Sequence, residues 1–370
     1  MNVKLPTERL ALLAPFGIGL AFALLFVLTM TTATKSLQPH DLPVGLVAPA
    51  PVADQIEMSL DSRAPGAFAI HRYSSEAAAR AAVRDDREYG ALVVTGRGAR
   101  LLLAGAKGTT TTITIRTVFT RVASAAHLPL TVEDLRPMPS SDPNGTLAVV
   151  LLIPLILASL IVAVLGFILA PWAPAAARVG LMVAYAVVVG LMVTLIADLV
   201  EGGLSAGFGE VSAAPALFVL AMSATVACLQ RVAGTAGTGI AILLLLVLGL
   251  PSAGVFAPPE FLPDFYRALS PYLPPGAAVA LMRDVLYLGG DGTSFPVTVL
   301  SIWAGAAIVL TFLADRVLPR RRRPPARPDA AALLAAMIYL AIRRREPDAP
   351  IPDAVRTKLT ALVESWSMGQ

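Results

Sequence analysis

The sequence predicts an α-helical polytopic membrane protein with six transmembrane helices and an inserted extracytoplasmic α/β domain. Of its 370 residues, 56% are hydrophobic and only 15% are charged, and the mean hydropathy is +0.72. Long apolar runs approach the ~20 residues that a helix needs to cross a hydrocarbon core about 30 Å thick. Because backbone polar groups cannot stay unpaired in lipid, these runs must be helices. A polar insert between the first two runs alternates strand and helix patterns, which indicates a folded domain.

The first apolar run, Leu10–Thr32, lies within residues 1–33, which we interpret as a cytoplasmic start and the first transmembrane helix. Lys4 and Arg9 precede it, and basic residues also precede the apolar core of a secretory signal peptide. The run is longer than the core of about 7–15 residues that such peptides carry. An uncleaved helix is therefore favoured over a signal peptide.

Residues 34–143 carry the pattern of an extracytoplasmic α/β domain. Short apolar or alternating stretches bounded by turn residues predict strands, and apolar residues at helical spacing predict helices. The predicted strands are 43–48, 68–73, 91–95, 100–104 and 130–136, and the predicted helices are 53–61, 74–87 and the stretch from Thr109 onward. Alternation of strands and helices favours a small α/β fold.

Residues 144–317 are predicted to form a five-helix transmembrane domain. Its apolar runs are 147–170, 179–200, 212–230, 238–256 and 296–317. The connection 257–295 is too polar to span and too patterned to be a plain loop, with a helix that begins near Pro275. We expect a segment that re-enters the membrane or lies along its interface.

Residues 318–370 are predicted to be a cytoplasmic basic and amphipathic tail. The cluster Arg320–Arg323 opens it, and the apolar helix predicted over 330–342 is too short to span. A second amphipathic helix is predicted over 352–370. The arginines are placed to lie among lipid headgroups.

The basic residues also predict the topology. Six spans put both termini on one side, and basic residues collect in cytoplasmic connections. Arg178 and Arg231 lie in the second-to-third and fourth-to-fifth connections, and Lys4, Arg9 and Arg316 flank the first and last spans. We therefore expect a multi-pass protein of the cell membrane with both termini cytoplasmic.

Composition and motifs do not indicate catalysis or nucleic-acid binding. The net charge of +4 is concentrated beside the last apolar run, where lipid contact explains it better than nucleic acid does. Cys228 is the single cysteine, and the three histidines are scattered without metal-ligand spacing. The sequence contains neither a phosphate-binding loop nor a nucleophile elbow. No catalytic, cofactor-binding or metal-ligating residue is predicted, and we do not expect an enzyme.

A few residues near the spans are candidates for function. Asp198 is the single acid inside the run 179–200, and acids within membranes are functional candidates, although near the end of a span it can simply face water. Pro251 can kink its span or be an ordinary tolerated proline. Arg283 lies off the apolar face of the helix that follows Pro275, where it can reach headgroups, a substrate anion or only solvent. Arg267 shares the connection but not that helix, which suggests it as a control.

Several motifs resemble those of a known superfamily. One span, an α/β insert and five further spans resemble the permeases of the ABC-2 exporter superfamily, and more narrowly the phage-infection-protein-like (YhgE/Pip) and DUF3533-type membrane proteins. The resemblance rests on a turn at Pro251, Ser252 and Gly254 and on Pro274, Pro275 and Gly276 leading to Arg283. Leu250 stands where the family turn begins with asparagine.

The resemblance implies a transmembrane permease subunit that exports an amphipathic or lipidic substrate. Membrane lipids, a second copy in a homodimer and a separate ATP-binding subunit on the cytoplasmic face are the implied partners. No cofactor is expected in this chain, and ATP would act only through that separate subunit. The alternative is a non-transporting membrane scaffold or cell-surface receptor whose extracytoplasmic domain binds a partner. A neighbouring gene for a P-loop ATPase would favour the permease.

Overall fold

The computed structural model describes residues 7–35, 37–96, 98–201, 207–255, 257–319 and 357. The described residues up to Leu169 and from Pro174 to Leu318 form one compact unit, whereas Ala170–Ala173 and the chain from Pro319 are assigned to a second. The tail helices predicted over 330–342 and 352–370 lie outside the described residues, Thr357 excepted.

The first long helix, α1 (Thr7–Thr34), leads into a five-stranded sheet with the strand order β2-β1-β3-β4-β5. The β3–β4 pair is antiparallel and the other pairs are parallel. The strands are β1 (Leu42–Val47), β2 (Phe68–Arg72), β3 (Gly90–Thr95), β4 (Gly98–Leu103) and β5 (Leu130–Asp134). All five predicted strands are confirmed, with bounds that shift by one or two residues.

Three helices complete this α/β domain: α2 (Ala50–Arg63), α3 (Glu76–Arg84) and α4 (Thr109–Ala125). One face of the sheet packs Leu92 and Leu101 against Phe119 of α4, and the other packs against Val83 of α3. Since strand side chains alternate between faces, each sheet face buries its own apolar set. Ser75 caps α3, because its hydroxyl accepts a hydrogen bond from the Ala78 amide at 3.2 Å.

A helical bundle follows. Its helices are α5 (Leu147–Val150), α6 (Leu152–Leu169), α7 (Ala175–Glu201), α8 (Phe208–Ala233), α9 (Thr235–Ala241), a π-helical stretch Ile242–Leu248, α10 (Gly249–Ser252), α11 (Asp264–Leu269), α12 (Pro274–Tyr287) and α13 (Ser294–Val317). Within an 18-residue stretch of α8, 78% of the residues are buried, against 22% within such a stretch of α7. The helix α8 is central and packs against α6, α7, α12 and α13.

Six stretches of the described residues are long and apolar enough to cross a membrane, judged by length and composition: 17–34, 147–169, 175–199, 208–233, 235–252 and 294–317. Large apolar side chains are exposed along several of them, for example Leu24, Ile161 and Leu313. Soluble monomers rarely expose apolar surface on this scale. The coarse fold predicted from the sequence, six apolar helices and a small sheet, is confirmed.

Two of the predicted spans are less regular than their sequences suggested. The run 147–170 breaks at Leu151, because Pro154 has no amide to bond the carbonyl of Val150, where α5 ends. The run 238–256 becomes α9, the π-helical stretch and α10, and it ends at Ser252. Hydrophobic composition fixes that a stretch is helical but does not fix its hydrogen-bond register.

The connection 257–295 contains α11 and α12, separated by a short 3-10 turn. Its main helix, α12, is buried along most of its length and packs against α8, α10 and α13. The helix α12 is thus an internal part of the helical bundle.

Candidate functional site

A polar cavity of about 380 Å³ lies where the α/β domain meets the segment 253–288. Charged side chains line it from both sides: Asp86 and Lys107 from the α/β domain, Glu260 and Arg267 from the connection, and Arg283 and Asp284 from α12. Its size falls in the range of about 300–1,000 Å³ that is usual for ligand pockets. This cavity is the candidate functional site.

The start of α12 fixes which side chains face the cavity. Pro274 and Pro275 occupy the first helical turn, where a missing amide costs nothing. A Cβ added to Gly276 would lie 2.0 Å from the backbone oxygen of Ser270, so only glycine permits this approach. The helix then directs Ala280, Arg283 and Asp284 toward the cavity.

The α/β domain closes one side of the cavity with groups that are already paired. The Tyr89 hydroxyl donates to Glu260 Oε1 at 2.5 Å. Lys107 Nζ lies 4.3 Å from the centre of the Tyr89 ring and 3.0 Å from Asp86 Oδ1. Burial, together with the charge of Glu260, raises the pKa of Tyr89 well above its ordinary value, so the hydroxyl keeps its proton.

Arg267 is a second cation in the lining of the cavity, and it is paired with acids. Its guanidinium lies 2.8 Å from Asp264 Oδ1 and 3.3 Å from Asp41 Oδ2. Arg267 lies in the connection but in α11 and not in α12, as the sequence indicated. It nevertheless lines the same cavity as Arg283, so it is not a suitable control for that residue.

Arg283 is the cation without a partner. Neither a hydrogen bond nor an ion pair joins its guanidinium to any of the described residues. The side chain is partly buried, and withdrawal from bulk water lowers the pKa of Arg283, while the charge of Glu260 opposes that shift. An arginine remains protonated even so. The cavity therefore contains a guanidinium group whose N–H donors make no hydrogen bond to the described residues.

Asp284, the next residue, is only 7% exposed. Burial, reinforced by the charges of Asp86 and Asp291, raises the pKa of Asp284 to about 6. The carboxyl is thus partly protonated near neutral pH and opposes Arg283 less than a full negative charge would.

The far end of α12 is clamped to the rest of the chain. The Tyr287 hydroxyl donates to Asp142 Oδ2 at 2.6 Å, and Asp142 also accepts from the Leu147 amide at 2.9 Å. Burial alone would raise the pKa of Asp142, but these bonds and those from Thr146 lower it. Arg136 donates to the Leu288 carbonyl at 3.1 Å. The clamp holds α12 against both the α/β domain and the start of α5.

An apolar groove of about 400 Å³ runs along the opposite face of α12, between α8 and α13. Leu217 of α8, Leu281 and Val285 of α12 and Val297 of α13 are the large apolar side chains in its lining, and Thr293 is a polar one. Glu210 is the charged side chain in its lining. The helix α12 therefore separates a polar cavity from an apolar groove.

The structure brings together some of the sequence candidates and not others. Gly276 and Arg283 line the cavity. Pro251 and Ser252 are buried beside it in α10, and the Ser252 hydroxyl donates to the Leu248 carbonyl at 2.8 Å. Asp198 lies near the end of α7 and is not part of the cavity lining.

The other turn and entry candidates have structural positions. Gly254 follows α10 with φ of +69°, a conformation that favours glycine. Pro274 and Pro275 are buried at the start of α12, and a Cβ on Gly249 would lie 2.8 Å from the Pro275 ring. These residues set the path of the chain around the cavity.

Sequence reasoning did not predict a role for Tyr89, Lys107 or Glu260. Tyr89 and Lys107 lie in the α/β insert, far from α12 along the chain, and only the fold brings them to α12. Glu260 carried a usable signal, because an acid directly after Pro258 and Pro259 interrupts an apolar segment.

Comparisons with protein-family models, with curated proteins and with solved structures found no match. The similarity to ABC-2 permeases therefore rests on the architecture and short motifs alone, and it stays a prediction.

Proposed function

We propose that this chain is the transmembrane permease subunit of an ABC-2-like exporter that moves an amphipathic or lipidic substrate out of the cell. The observation that carries the proposal is the position of α12, with a polar cavity on one face and an apolar groove on the other. A substrate with a polar head and an apolar body matches that division. The six apolar helices support placement in the membrane by their length and composition.

The bundle interior supports amphipathic cargo over inorganic ions. Within the described spans, the buried polar side chains other than the Arg231–Asp315 pair at one end of the bundle are hydroxyls and one amide. The hydroxyls of Ser159, Thr225 and Thr311 bond the carbonyls of their own helices. Ion and proton pathways instead carry ionisable side chains within the membrane.

The distribution of basic residues supports an orientation with both termini cytoplasmic and the α/β domain outside. Arg231 Nε bonds Asp315 Oδ1 at 2.6 Å, and Asp315 Oδ2 accepts from the Ala175 amide at 2.8 Å. The end of α8, the start of α7 and the end of α13 are thus together, and Arg178 and Arg316 belong to the same helix ends. Basic residues at a shared end favour the cytoplasmic side.

The proposal includes a homodimer and a separate ATP-binding subunit on the cytoplasmic face. The sequence has no phosphate-binding loop, so ATP hydrolysis would have to come from that subunit.

Transport is tested with inside-out vesicles from native membranes that overproduce the protein. We expect ATP-dependent accumulation of a fluorescent lysophospholipid above that of vesicles lacking the protein. Leu217→Trp, which narrows the groove, should reduce accumulation several-fold, whereas Leu195→Trp on the exposed side of α7 should not. Accumulation that does not depend on the protein would contradict export and favour a scaffold or receptor.

Orientation is tested by cysteine labelling in a Cys228→Ala background. Cysteines placed at Ser62 and Thr293 should react with an impermeant maleimide added to intact cells, and one at Ala326 should react only after lysis. Labelling at Ala326 from outside would reverse the proposed orientation.

A further inference from the structure

We propose that the substrate is an anionic amphiphile whose phosphate or carboxylate group is bound by Arg283 in the polar cavity. This inference rests on the proposed permease function and names the chemical class of its substrate.

The other cations around the cavity already have partners. Lys107 lies 3.0 Å from Asp86 Oδ1 and donates to the Asp86 carbonyl at 2.6 Å. Arg267 lies within ion-pair distance of Asp264 and Asp41. Only Arg283, among the described basic residues lining the cavity, has neither a hydrogen bond nor an ion pair. The guanidinium of Arg283 is therefore the donor group left for a ligand.

The neighbouring acids do not take up those donors. Glu260 uses Oε1 to accept from Tyr89, and its buried Oε2 has no hydrogen-bond partner among the described residues. The Asp284 carboxyl packs against the backbone of Gly292: a Cβ added to Gly292 would lie 2.5 Å from Asp284 Oδ2. The carboxyl is therefore covered on the side of Gly292. The structure thus keeps a cation and two acids around one space without pairing them.

Guanidinium chemistry identifies the ligand class. Its five N–H donors form a planar fork that matches the two oxygens of a carboxylate or phosphate. A partly buried charge without a partner is costly, and an anion in the cavity would supply both the opposite charge and the acceptors. A cationic ligand would instead be repelled by the unpaired charge of Arg283.

The neighbouring groove identifies the rest of the ligand. Leu288 lines the polar cavity and Gly289, the next residue, lines the apolar groove, so the two spaces approach each other at the end of α12. For a molecule with its anionic head beside Arg283, the apolar chain would pass around this end of α12 to lie along Leu281 and Val285.

The test measures binding of radiolabelled dodecyl phosphate to the full-length protein, purified in a neutral maltoside detergent. We expect saturable binding that Arg283→Gln weakens about tenfold or more, the loss of roughly one charge-assisted interaction. Arg283→Lys should keep part of the affinity. Glu260→Gln should preserve or tighten binding, because it removes a competing negative charge. The matched control is Arg116→Gln, which removes an exposed arginine of α4 away from the cavity and should leave binding unchanged.

Equal affinity of wild type and Arg283→Gln would overturn the inference. If Arg283→Gln does not fold, Ala280→Phe replaces it, because Ala280 is exposed in the cavity lining and a larger side chain there narrows the space. Unchanged binding by Ala280→Phe would equally overturn the inference.

Two competitors separate this inference from the proposed function. If dodecyltrimethylammonium binds as tightly as dodecyl phosphate and Arg283→Gln changes neither affinity, Arg283 is not an anion-binding residue. An amphipathic substrate would then still be consistent with the proposed function. If inorganic phosphate displaces radiolabelled dodecyl phosphate as effectively as unlabelled dodecyl phosphate does, Arg283 binds a soluble anion. That result would contradict an amphipathic substrate and leave the anion-binding role of Arg283 intact.

Discussion

Arg231 and Arg283 lie at opposite ends of the helical bundle and have opposite surroundings. Arg231 pairs with Asp315 at 2.6 Å and donates to the Leu318 carbonyl at 2.8 Å, and the two paired side chains are 11% and 5% exposed. Arg283 is also partly buried, yet no described residue accepts its hydrogen bonds. The same residue type is paired with an acid at one end and has no hydrogen-bond partner among the described residues at the other.

The difference separates a structural charge from one available for binding. At the Arg231 end, Asp315 also accepts from the Ala175 amide, so the pair joins the ends of α7, α8 and α13. The Nε and Nη2 groups of Arg231 donate to Asp315 and to the Ala314 and Leu318 carbonyls. At the Arg283 end, a cavity of about 380 Å³ takes the place of a partner.

The largest effect is expected for Arg231→Ala. The substitution removes a cation that pairs with the buried carboxylate of Asp315, and loss of one partner of a buried ion pair typically costs about 3–5 kcal/mol, whereas Arg283→Ala should change stability by about 1 kcal/mol or less. Thermal and SDS unfolding in maltoside micelles would measure both. Because the partners interact directly, the double variant Arg231→Ala with Asp315→Ala should cost less than the sum of the single changes. Similar losses for Arg231→Ala and Arg283→Ala would remove the contrast.

An intermediate effect is expected for Asp284→Asn. The pKa of Asp284 is raised to about 6 in the folded protein, above the value of about 3.9 for an unfolded chain. The folded state therefore holds the proton more tightly, and wild-type stability should fall between about pH 4 and pH 6 and then level off.

Asp284→Asn should remove that decline and stabilise the protein at pH 7 by about 1–3 kcal/mol. The exposed Asp61→Asn is the control and should leave the pH profile unchanged. A wild-type profile that is flat between pH 4 and pH 7 would show that the carboxyl of Asp284 is not desolvated as the structure indicates.

The smallest effect is expected for Tyr287→Phe. The substitution removes one donor to Asp142, which keeps the Leu147 and Thr146 amides, and it also removes the weak acceptor of the Ala148 amide at 3.3 Å. The free energy of unfolding should therefore fall by about 0.5–1.5 kcal/mol. Because the pKa of Asp142 is lower in the folded protein than in the unfolded chain, ionised Asp142 stabilises the fold at pH values above its unfolded pKa. This stabilisation is lost as the pH falls below about 4.

The loss caused by Tyr287→Phe should therefore shrink in acid. The exposed Tyr272→Phe should cost less at every pH and serves as the matched control. A larger loss for Tyr287→Phe at pH 3 than at pH 7 would contradict the assigned role of Asp142.

Local patterns were sufficient to predict most elements of the α/β domain. The alternation around Phe68–Arg72 and Leu130–Asp134 marked both edge strands. The helix predicted to run through Arg87 ends at Arg84, because Asp86 adopts φ of +63°, outside the helical region. Such a backbone change depends on the surrounding contacts, including the bond from Lys107 to the Asp86 carbonyl.

The candidate site was predicted only in part. The sequence drew attention to α12 through Pro275 and placed Arg283 off its apolar face. It did not predict that α12 would be packed within the bundle or that Tyr89 and Glu260 would meet across the cavity. Tyr89 and Glu260 are separated by 171 positions in the chain, and pattern reasoning compares residues only within one turn or one strand.

By itself, the sequence determined which stretches are helices and strands and where the apolar surface is, because chain periodicity and side-chain hydrophobicity are local properties. Only the tertiary structure decided which charges are satisfied. Arg231 and Arg283 are indistinguishable as isolated arginines, and they differ because Asp315 folds back onto one while the other faces an open cavity. Pairing of charges requires groups to come within a few ångströms of each other, and that proximity is set by the packing of distant segments.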